Sequence, residues 1–167
     1  MNTGTLIGSL IFAGVLLVAV VFLYRKMIQG WRGRAQRQLA MIGTLPALPE
    51  MLSAPTIPAT KGLYVGSTLA PSWLDRIAVG DLSDRGKATL TRFPEGIMVR
   101  REGATPLWIA QDKIVAVRTE RGHAGKAMTF DGVLVIRWTL PAGVQVDTGF
   151  RADDHKAYEL WTREENG

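Results

Sequence analysis

Two histidines, His123 and His155, are the side chains of this sequence best suited to proton transfer or metal binding near neutral pH. His123 lies in a glycine-rich stretch close to the cations Arg118, Arg121 and Lys126. Glycine-rich backbone beside cations can cradle a phosphate. The alternative interpretation is an ordinary solvated connection between two strands.

No catalytic, cofactor-binding or metal residues are predicted. His155 follows Asp153 and Asp154, but consecutive side chains do not converge on one point, and no second cluster of ligands is present. No serine lies in a G-x-S-x-G elbow, so a catalytic base would have to be one of the two histidines. The absence of cysteine excludes disulfides and thiolate sites. We therefore expect a protein that is not an enzyme.

The remaining candidate contact residues are large aromatic and charged side chains. Those predicted to meet a partner or ligand are Trp73, Arg76, His123, Lys126 and Arg151. Trp73 follows a proline in a predicted loop, whereas Trp108, Trp138 and Trp161 are expected to fill the core of a small domain. For the charged pairs Asp75-Arg76 and Asp147 with Arg151, the alternative is an internal salt bridge or turn hydrogen bonds.

These residues are held by a chain that begins with a predicted membrane anchor. Residues 1–4 precede an uncharged, mostly apolar run at residues 5–24, which as a helix spans about 30 Å, the thickness of a bilayer core. No basic residue precedes the run and no small-residue cleavage site ends it, so we predict a retained single-pass anchor. Gly4 and Gly8 have the spacing for a weak homodimer contact.

A basic segment follows the apolar run and fixes the predicted topology. The residues expected at the membrane surface are Arg25, Lys26, Trp31, Arg32, Arg34 and Arg37. Basic residues stay inside, which predicts an extracytoplasmic N-terminus and a cytoplasmic C-terminal domain at the cell membrane. The apolar spacing in residues 25–42 is that of an amphipathic helix. These cations either contact anionic lipid or only set the topology.

The charge of the chain is unevenly distributed along the sequence. Twenty Lys and Arg face 15 Asp and Glu, a net charge of +5, and five of the cations precede the first acid, Glu50. Residues 50–167 are therefore neutral as a whole. A domain that binds nucleic acid needs a basic face of its own, so we predict no nucleic-acid partner.

The boundaries of the C-terminal domain follow from the prolines. Four prolines between residues 43 and 60 predict a semi-extended linker, and residues 61–167 are long enough for one compact domain. Alternating β-branched and aromatic residues predict about seven strands. They lie at residues 62–69, 87–93, 97–101, 106–110, 113–120, 133–140 and 144–149.

Two turns and one helix complete the prediction. Residues 94–96 and 141–143 carry proline and glycine and predict hairpins. A helix is expected to begin at Asp153 or Asp154, with Ala157, Leu160 and Trp161 on its apolar side. The predicted fold is a transmembrane α-helix followed by a mainly-β barrel or sandwich, capped by a C-terminal α-helix.

Five short motifs carry a resemblance to a known family. They are GSTL (66–69), SWLDRI (72–77), GHAGK (122–126), VIRW (135–138) and DTGFR (147–151). The chain resembles actinobacterial single-pass membrane proteins with a cytoplasmic pleckstrin-homology (PH)-like domain, often encoded near pyrimidine-synthesis genes. This resemblance implies a seven-stranded PH-like barrel closed by a C-terminal helix, and it supplies no catalytic residues.

The function expected from these features is that of a membrane-anchored, non-enzymatic interaction or scaffold module. Its partners would be the lipid bilayer and an unidentified protein. One alternative is a domain that itself binds anionic lipid headgroups, and fold analogy alone supports it. The other is an accessory subunit of a membrane transport or export complex, since one helix cannot enclose a path by itself.

Overall fold

One long helix, α1 (Thr3–Ile42), begins the chain. A computed structural model describes residues 3–123, 126–127 and 132–163, with side chains except at 5–6, 31–37, 122–123 and 126–127. Within α1, the segment Ile7–Gly30 has a mean hydropathy of 2.6, and none of its most apolar window is buried. This helix is long and apolar enough to cross a membrane.

The compact domain begins earlier than the sequence predicted. The chain divides into two units, residues 1–37 and residues 38–167, and the last turn of α1 belongs to the second unit. Ile42 is fully buried in the core of that unit. The Gln38 side chain donates to the carbonyl oxygen of Arg76 at 3.2 Å and accepts from the amide of Ala78 at 2.6 Å. The predicted boundary at residue 61 is therefore corrected to Gln38.

The predicted proline-rich linker is part of the same unit. Residues 43–56 form no helix or strand, as the prolines indicate, but they are bonded to the sheet. The Thr56 amide donates to the Arg92 carbonyl at 2.9 Å, and Ser53 bonds the carboxylate of Glu95 through its amide and its hydroxyl. Leu45 packs against the core. The segment therefore lies along the domain instead of separating it from the anchor.

Seven strands form one antiparallel sheet in the order β4-β3-β2-β1-β9-β8-β5. Their bounds are β1 (Ile57–Leu69), β2 (Gly86–Phe93), β3 (Gly96–Arg101), β4 (Leu107–Ala110), β5 (Ile114–Glu120), β8 (Val133–Thr139) and β9 (Gln145–Ala152). The strands β6 (Gly122–His123) and β7 (Lys126–Ala127) pair separately with each other, and β6 contacts β1 and β8. The predicted count of about seven strands and both predicted hairpins are confirmed.

Strand β1 joins the two halves of the sheet because it is long. Its first part pairs with β2 and its second part with β9, and the three residues 62–64 pair with both. The strand begins at Ile57, five residues before its predicted start. Pro58 lies where the register with β2 is irregular, between Ile57 and Thr60, and such irregular positions tolerate proline inside a strand.

Small residues line the sheet where its halves meet. Gly62 pairs with Ala88 on β2 and with Ala152 on β9, and all three are buried. A β-carbon at Gly62 would overlap the Arg151 carbonyl oxygen and lie 2.8 Å from the Ala152 Cα. Close backbone approach therefore requires glycine here.

Gly62→Ala is expected to lower the free energy of unfolding by about 1–3 kcal/mol, because the methyl group forces strands apart. Gly86→Ala is the matched control, since a β-carbon there meets nothing closer than the Glu102 carbonyl at 3.8 Å. Chemical denaturation of both variants, followed by tryptophan fluorescence, measures the difference. Equal stability of the two variants would contradict the close approach.

The prediction that three tryptophans fill the core is confirmed. The buried tryptophans are Trp108, Trp138 and Trp161, and the Trp138 indole donates to the Thr148 hydroxyl at 2.9 Å. The C-terminal element is a 3-10 turn, His155–Ala157, followed by the short helix α2 (Tyr158–Arg163).

One detail of the predicted C-terminal helix is wrong and another is correct. Leu160 is 50% exposed, and Tyr158 is buried instead, because the 3-10 turn shifts the phase of the helix. The Asp154 carboxylate accepts from the Lys156 amide at 3.0 Å, so Asp154 caps the element as expected.

Candidate functional site

A groove of about 570 Å3 crosses the face of the sheet opposite the core, over β9, β1, β2 and β3. We call it the basic groove, defined by its four exposed cations: Lys61, Lys87, Arg100 and Arg151. Each of them alternates along its strand with buried residues, which places it on the outer face. The groove lies within the compact domain.

Strand register sets the cations in two adjacent rows. In the first row, Lys61 pairs with Thr89, which in turn pairs with Arg100. In the second row, Arg151 pairs with Leu63, which pairs with Lys87. Neighbouring strands are about 4.8 Å apart, so four positive side chains surround a patch that is small enough for one ligand.

The groove keeps a positive excess. Two carboxylate residues, Glu102 and Asp153, also line the groove. Backbone hydrogen bonds place them next to two of the cations: the Asp153 amide donates to the Lys61 carbonyl at 3.0 Å, and the Glu102 amide donates to the Lys87 carbonyl at 2.9 Å. Neither carboxylate forms an ion pair within 4 Å with the described residues, and neither do the four cations. Four cations against two carboxylates leave two positive charges for a ligand.

A buried ion pair lies beneath the groove. The Arg101 side chain is 2% exposed, and its guanidinium donates to the Asp81 carboxylate at 2.8 Å and to the Thr105 carbonyl at 2.6 Å. It also lies 4.9 Å from the centre of the Tyr64 ring. Burial raises the pKa of Tyr64 to about 12, so its hydroxyl stays protonated and donates to the Leu82 carbonyl.

The ion pair holds the 3-10 turn Gly80–Ser83 against the sheet. Burial on its own would raise the pKa of Asp81, but hydrogen bonds from Thr105 and Arg101 outweigh it and hold the pKa below its usual value. Asp81 is therefore a carboxylate at neutral pH. The pair is part of the fold, and both terminal nitrogens of Arg101 donate hydrogen bonds there, whereas its buried Nε has no partner among the described residues.

A second surface is formed by the loop after β1. Trp73 and Leu74 are exposed there, Leu74 by 64%. The loop is closed by its own backbone, since the Ser72 amide donates to the Leu69 carbonyl at 2.9 Å and the Asp75 carbonyl accepts from Leu69 at 2.9 Å. Two large apolar side chains therefore lie on one hydrogen-bonded loop, residues 70–75, which we call the Trp73 loop.

The fold and its surfaces agree with one known family. The family described as bacterial PH domain-like matches residues 42–166. The chain belongs to this family. The match begins at Ile42, the residue of α1 that is buried in the core, which agrees with a PH-like domain that starts in the last turn of the helix. No curated protein matches the chain.

The PH-like domain does not bring the predicted contact residues together. Arg76 pairs with Thr68 on β1, whereas Arg151 pairs with Leu63, and these β1 positions are five residues, or about 17 Å, apart. Trp73 lies in the Trp73 loop, three residues before Arg76. Among the predicted contact residues with described side chains, Arg151 alone lies in the basic groove. The side chains of His123 and Lys126 lie outside the described set.

Arg76 is used within the PH-like domain. Its guanidinium donates to the Val65 carbonyl at 2.5 Å and occupies the space over Gly66, where a β-carbon would lie 2.9 Å from the Arg76 Nη2. Gly66 has a φ of +129°, which favours glycine. This contact holds the Trp73 loop on β1.

The predicted membrane-surface residues lie on α1. Arg25 and Lys26 are exposed, and the Lys26 ammonium lies 5.8 Å from the centre of the Phe22 ring. For Trp31, Arg32, Arg34 and Arg37 only the helical backbone is described. Their contact with a membrane surface stays a prediction.

The sequence missed three residues of the basic groove: Lys61, Lys87 and Arg100. Lys61 and Lys87 stand at the edges of predicted strands, and Arg100 is the outward residue between Val99 and Arg101. The signal that would have found them is the outward phase of each strand. Within the described residues, no group of His, Asp and Glu is placed to hold a metal ion.

Asp147 pairs with arginines other than the one expected. Its carboxylate accepts from Arg137 at 2.8 and 2.7 Å and from Arg118 at 3.0 Å, and Arg118 also pairs with Glu120 at 2.6 Å. Arg151 lies four residues further along β9, in the basic groove, and forms no ion pair with Asp147 among the described residues. The expected internal salt bridge exists, but the expectation of Arg151 as its partner is wrong.

The Asp147 ion pairs predict an acid-sensitive fold. Burial on its own would raise the pKa of Asp147, but the two arginines outweigh it and hold the pKa below its usual value. The unfolded chain then binds the proton more tightly than the folded chain. The stabilisation is complete above the unfolded pKa of about 3.9 and is lost as pH falls through the lower folded pKa.

We therefore expect the stability difference between the natural chain and Asp147→Asn to be largest near neutral pH. It should narrow as the pH falls below about 4, because protonation removes the same ion pairs that the substitution removes. Denaturant unfolding from pH 7 to pH 3 measures this difference. A difference that is constant over that range would contradict the assignment of the acid sensitivity to Asp147.

Proposed function

We propose that this chain is a membrane-anchored, non-enzymatic interaction module that presents a PH-like domain at the cytoplasmic membrane face. The observation that carries the proposal is the start of the compact domain at Gln38, eight residues after the apolar span ends at Gly30. Eight residues of chain reach at most about 28 Å. Anchoring the span would therefore keep the domain close to the bilayer.

The Trp73 loop supports a protein partner for this module. Exposed tryptophan is enriched among the residues that dominate protein interfaces, and here it is adjacent to the more exposed Leu74. The Gln38 side chain bonds Arg76 and Ala78, which directly follow this loop. The Trp73 loop is therefore tied to the last turn of α1 and is the surface of the domain that we assign to scaffolding.

The first test concerns topology. A reporter that is active only in the cytoplasm, fused after Gly167, is expected to be active, and one that is active only outside is expected to be silent. The control is a fusion of each reporter after Ile42, the last residue of α1. An extracytoplasmic C-terminus would overturn the proposal and both of its alternatives.

The second test concerns the partner. Crosslinking in intact cells followed by purification of the full chain should recover a stoichiometric protein, and Trp73→Ser with Leu74→Ser should lose it. The matched control is Val115→Ser with Leu160→Ser, which removes two other exposed apolar side chains. Recovery of multi-pass proteins alone, dependent on residues 5–24, would favour an accessory subunit of a transport complex instead.

A further inference from the structure

We propose that the basic groove binds a soluble small molecule that carries two or more phosphoryl groups. The site goes beyond the anchoring and scaffolding role, because it uses a different face of the domain. Four strands each place one cation in the groove: Lys61 on β1, Lys87 on β2, Arg100 on β3 and Arg151 on β9. None of these cations forms an ion pair with an acidic side chain among the described residues.

Charge and geometry select a phosphorylated ligand. Arginine presents a planar fork of donors that matches phosphate oxygens, and lysine adds point charges. Arg100 and Arg151 lie three strand spacings apart, about 14 Å, so each is placed to hold a separate phosphoryl group. The Thr89 hydroxyl lies between Lys61 and Arg100 and adds a neutral donor.

The groove disfavours an extended peptide. It lies over β9, β1, β2 and β3, and the central strands β1 and β2 have both edges bonded to neighbours. An added strand needs free backbone donors and acceptors, which these strands do not offer at the groove. Recognition there must come from side chains, which suits a compact ligand.

Nucleic acid is disfavoured for a different reason. Single strands bind through aromatic platforms on which bases stack, and none of the described residues that line the groove is aromatic. The volume of about 570 Å3 is that of a typical small-molecule site. A multiply phosphorylated small molecule meets these conditions.

The groove is separate from the surface that bonds the last turn of α1. The last turn of α1 bonds to Arg76 and Ala78, and the Ile77 amide between them donates to the Ser67 carbonyl, near the end of β1. The groove lies at Lys61, near the start of β1, and six residues of strand span about 20 Å. The groove is therefore about 20 Å along β1 from the residues that form hydrogen bonds with the last turn of α1.

Calorimetric titration of the full chain in nonionic detergent tests the proposal. The probes are pyrophosphate and tripolyphosphate at low ionic strength, with sulfate as the comparison anion. Arg100→Gln with Arg151→Gln is expected to weaken tripolyphosphate binding by about tenfold or more. The control, Lys113→Gln with Lys156→Gln, removes the same charge from exposed residues outside the groove and should change binding by less than about twofold.

Several results would overturn the proposal. These are no binding of either polyphosphate, binding of sulfate with equal affinity, and equal losses in the two double variants. Stronger binding of a polyglutamate peptide would assign the groove to an acidic protein segment. Binding of dihexanoyl phosphatidylglycerol but not of polyphosphate would assign it to a lipid headgroup. Unchanged circular dichroism of the groove variant establishes that a loss of binding is not a loss of folding.

Discussion

Asp81→Ala is expected to lower the free energy of unfolding of the domain by about 3–5 kcal/mol. The substitution leaves the buried Arg101 guanidinium without its carboxylate, and it also removes the acceptor of the Thr105 amide, 2.8 Å away. An unpaired buried charge is among the most destabilising single changes in a protein. Denaturant unfolding, followed by the fluorescence of the buried tryptophans, measures the loss.

Two further variants sharpen this prediction. Asp81→Ala with Arg101→Leu should recover part of the loss, because the uncompensated charge is then gone. Asp84→Ala is the control, since this exposed carboxylate has a single described hydrogen bond, from the Ser83 hydroxyl at 3.1 Å. We expect a change within about 0.5 kcal/mol for the control. A loss below about 1 kcal/mol for Asp81→Ala would contradict the structural role of the pair.

Ile42→Ala is expected to lower the free energy of unfolding by about 2–5 kcal/mol, although Ile42 lies in the helix that carries the apolar span. Its side chain is fully buried in the core of the domain. Leu39→Ala is the matched control, because Leu39 is one turn earlier in the same helix and 54% exposed. The same unfolding experiment on both variants measures the difference.

The same boundary can be tested by truncation. A chain that begins at Gln38 should unfold cooperatively, whereas one that begins at Lys61 loses Gln38, Ile42 and the start of β1 and should be far less stable. Equal unfolding transitions of the two truncated chains would show that the domain begins at the boundary expected from the prolines.

Much of the sheet was predictable because a strand is indicated by the residues of its own short segment. Alternation and the two proline-glycine turns located the strands within a few residues, and tryptophans on inward positions were correctly assigned to the core. The start of the domain was not predictable in this way. Ile42 and Ile28 look alike in an amphipathic pattern, and only the tertiary structure buries one of them.

The candidate site was less predictable than the fold, since it depends on register. The cations of the basic groove come from four strands that are far apart in sequence, and the pairing of β1 with both β2 and β9 brings them to one face. The partners of Asp147 were not predictable for the same reason. The pairing of β8 with β5 and with β9 places Arg118 and Arg137 next to its carboxylate. The neutral net charge of residues 50–167 gave no indication of this local positive surface.

The last turn of α1 has a further consequence through the start of the domain at Gln38. In the proposed arrangement, at most about 28 Å of chain separates Gln38 from the membrane, so this residue lies within a hemisphere of no more than that radius. One molecule in such a volume corresponds to an effective concentration on the order of 10 mM for anything held at the same membrane site. A partner anchored beside it would then need only millimolar affinity, which a contact as small as Trp73 and Leu74 can supply.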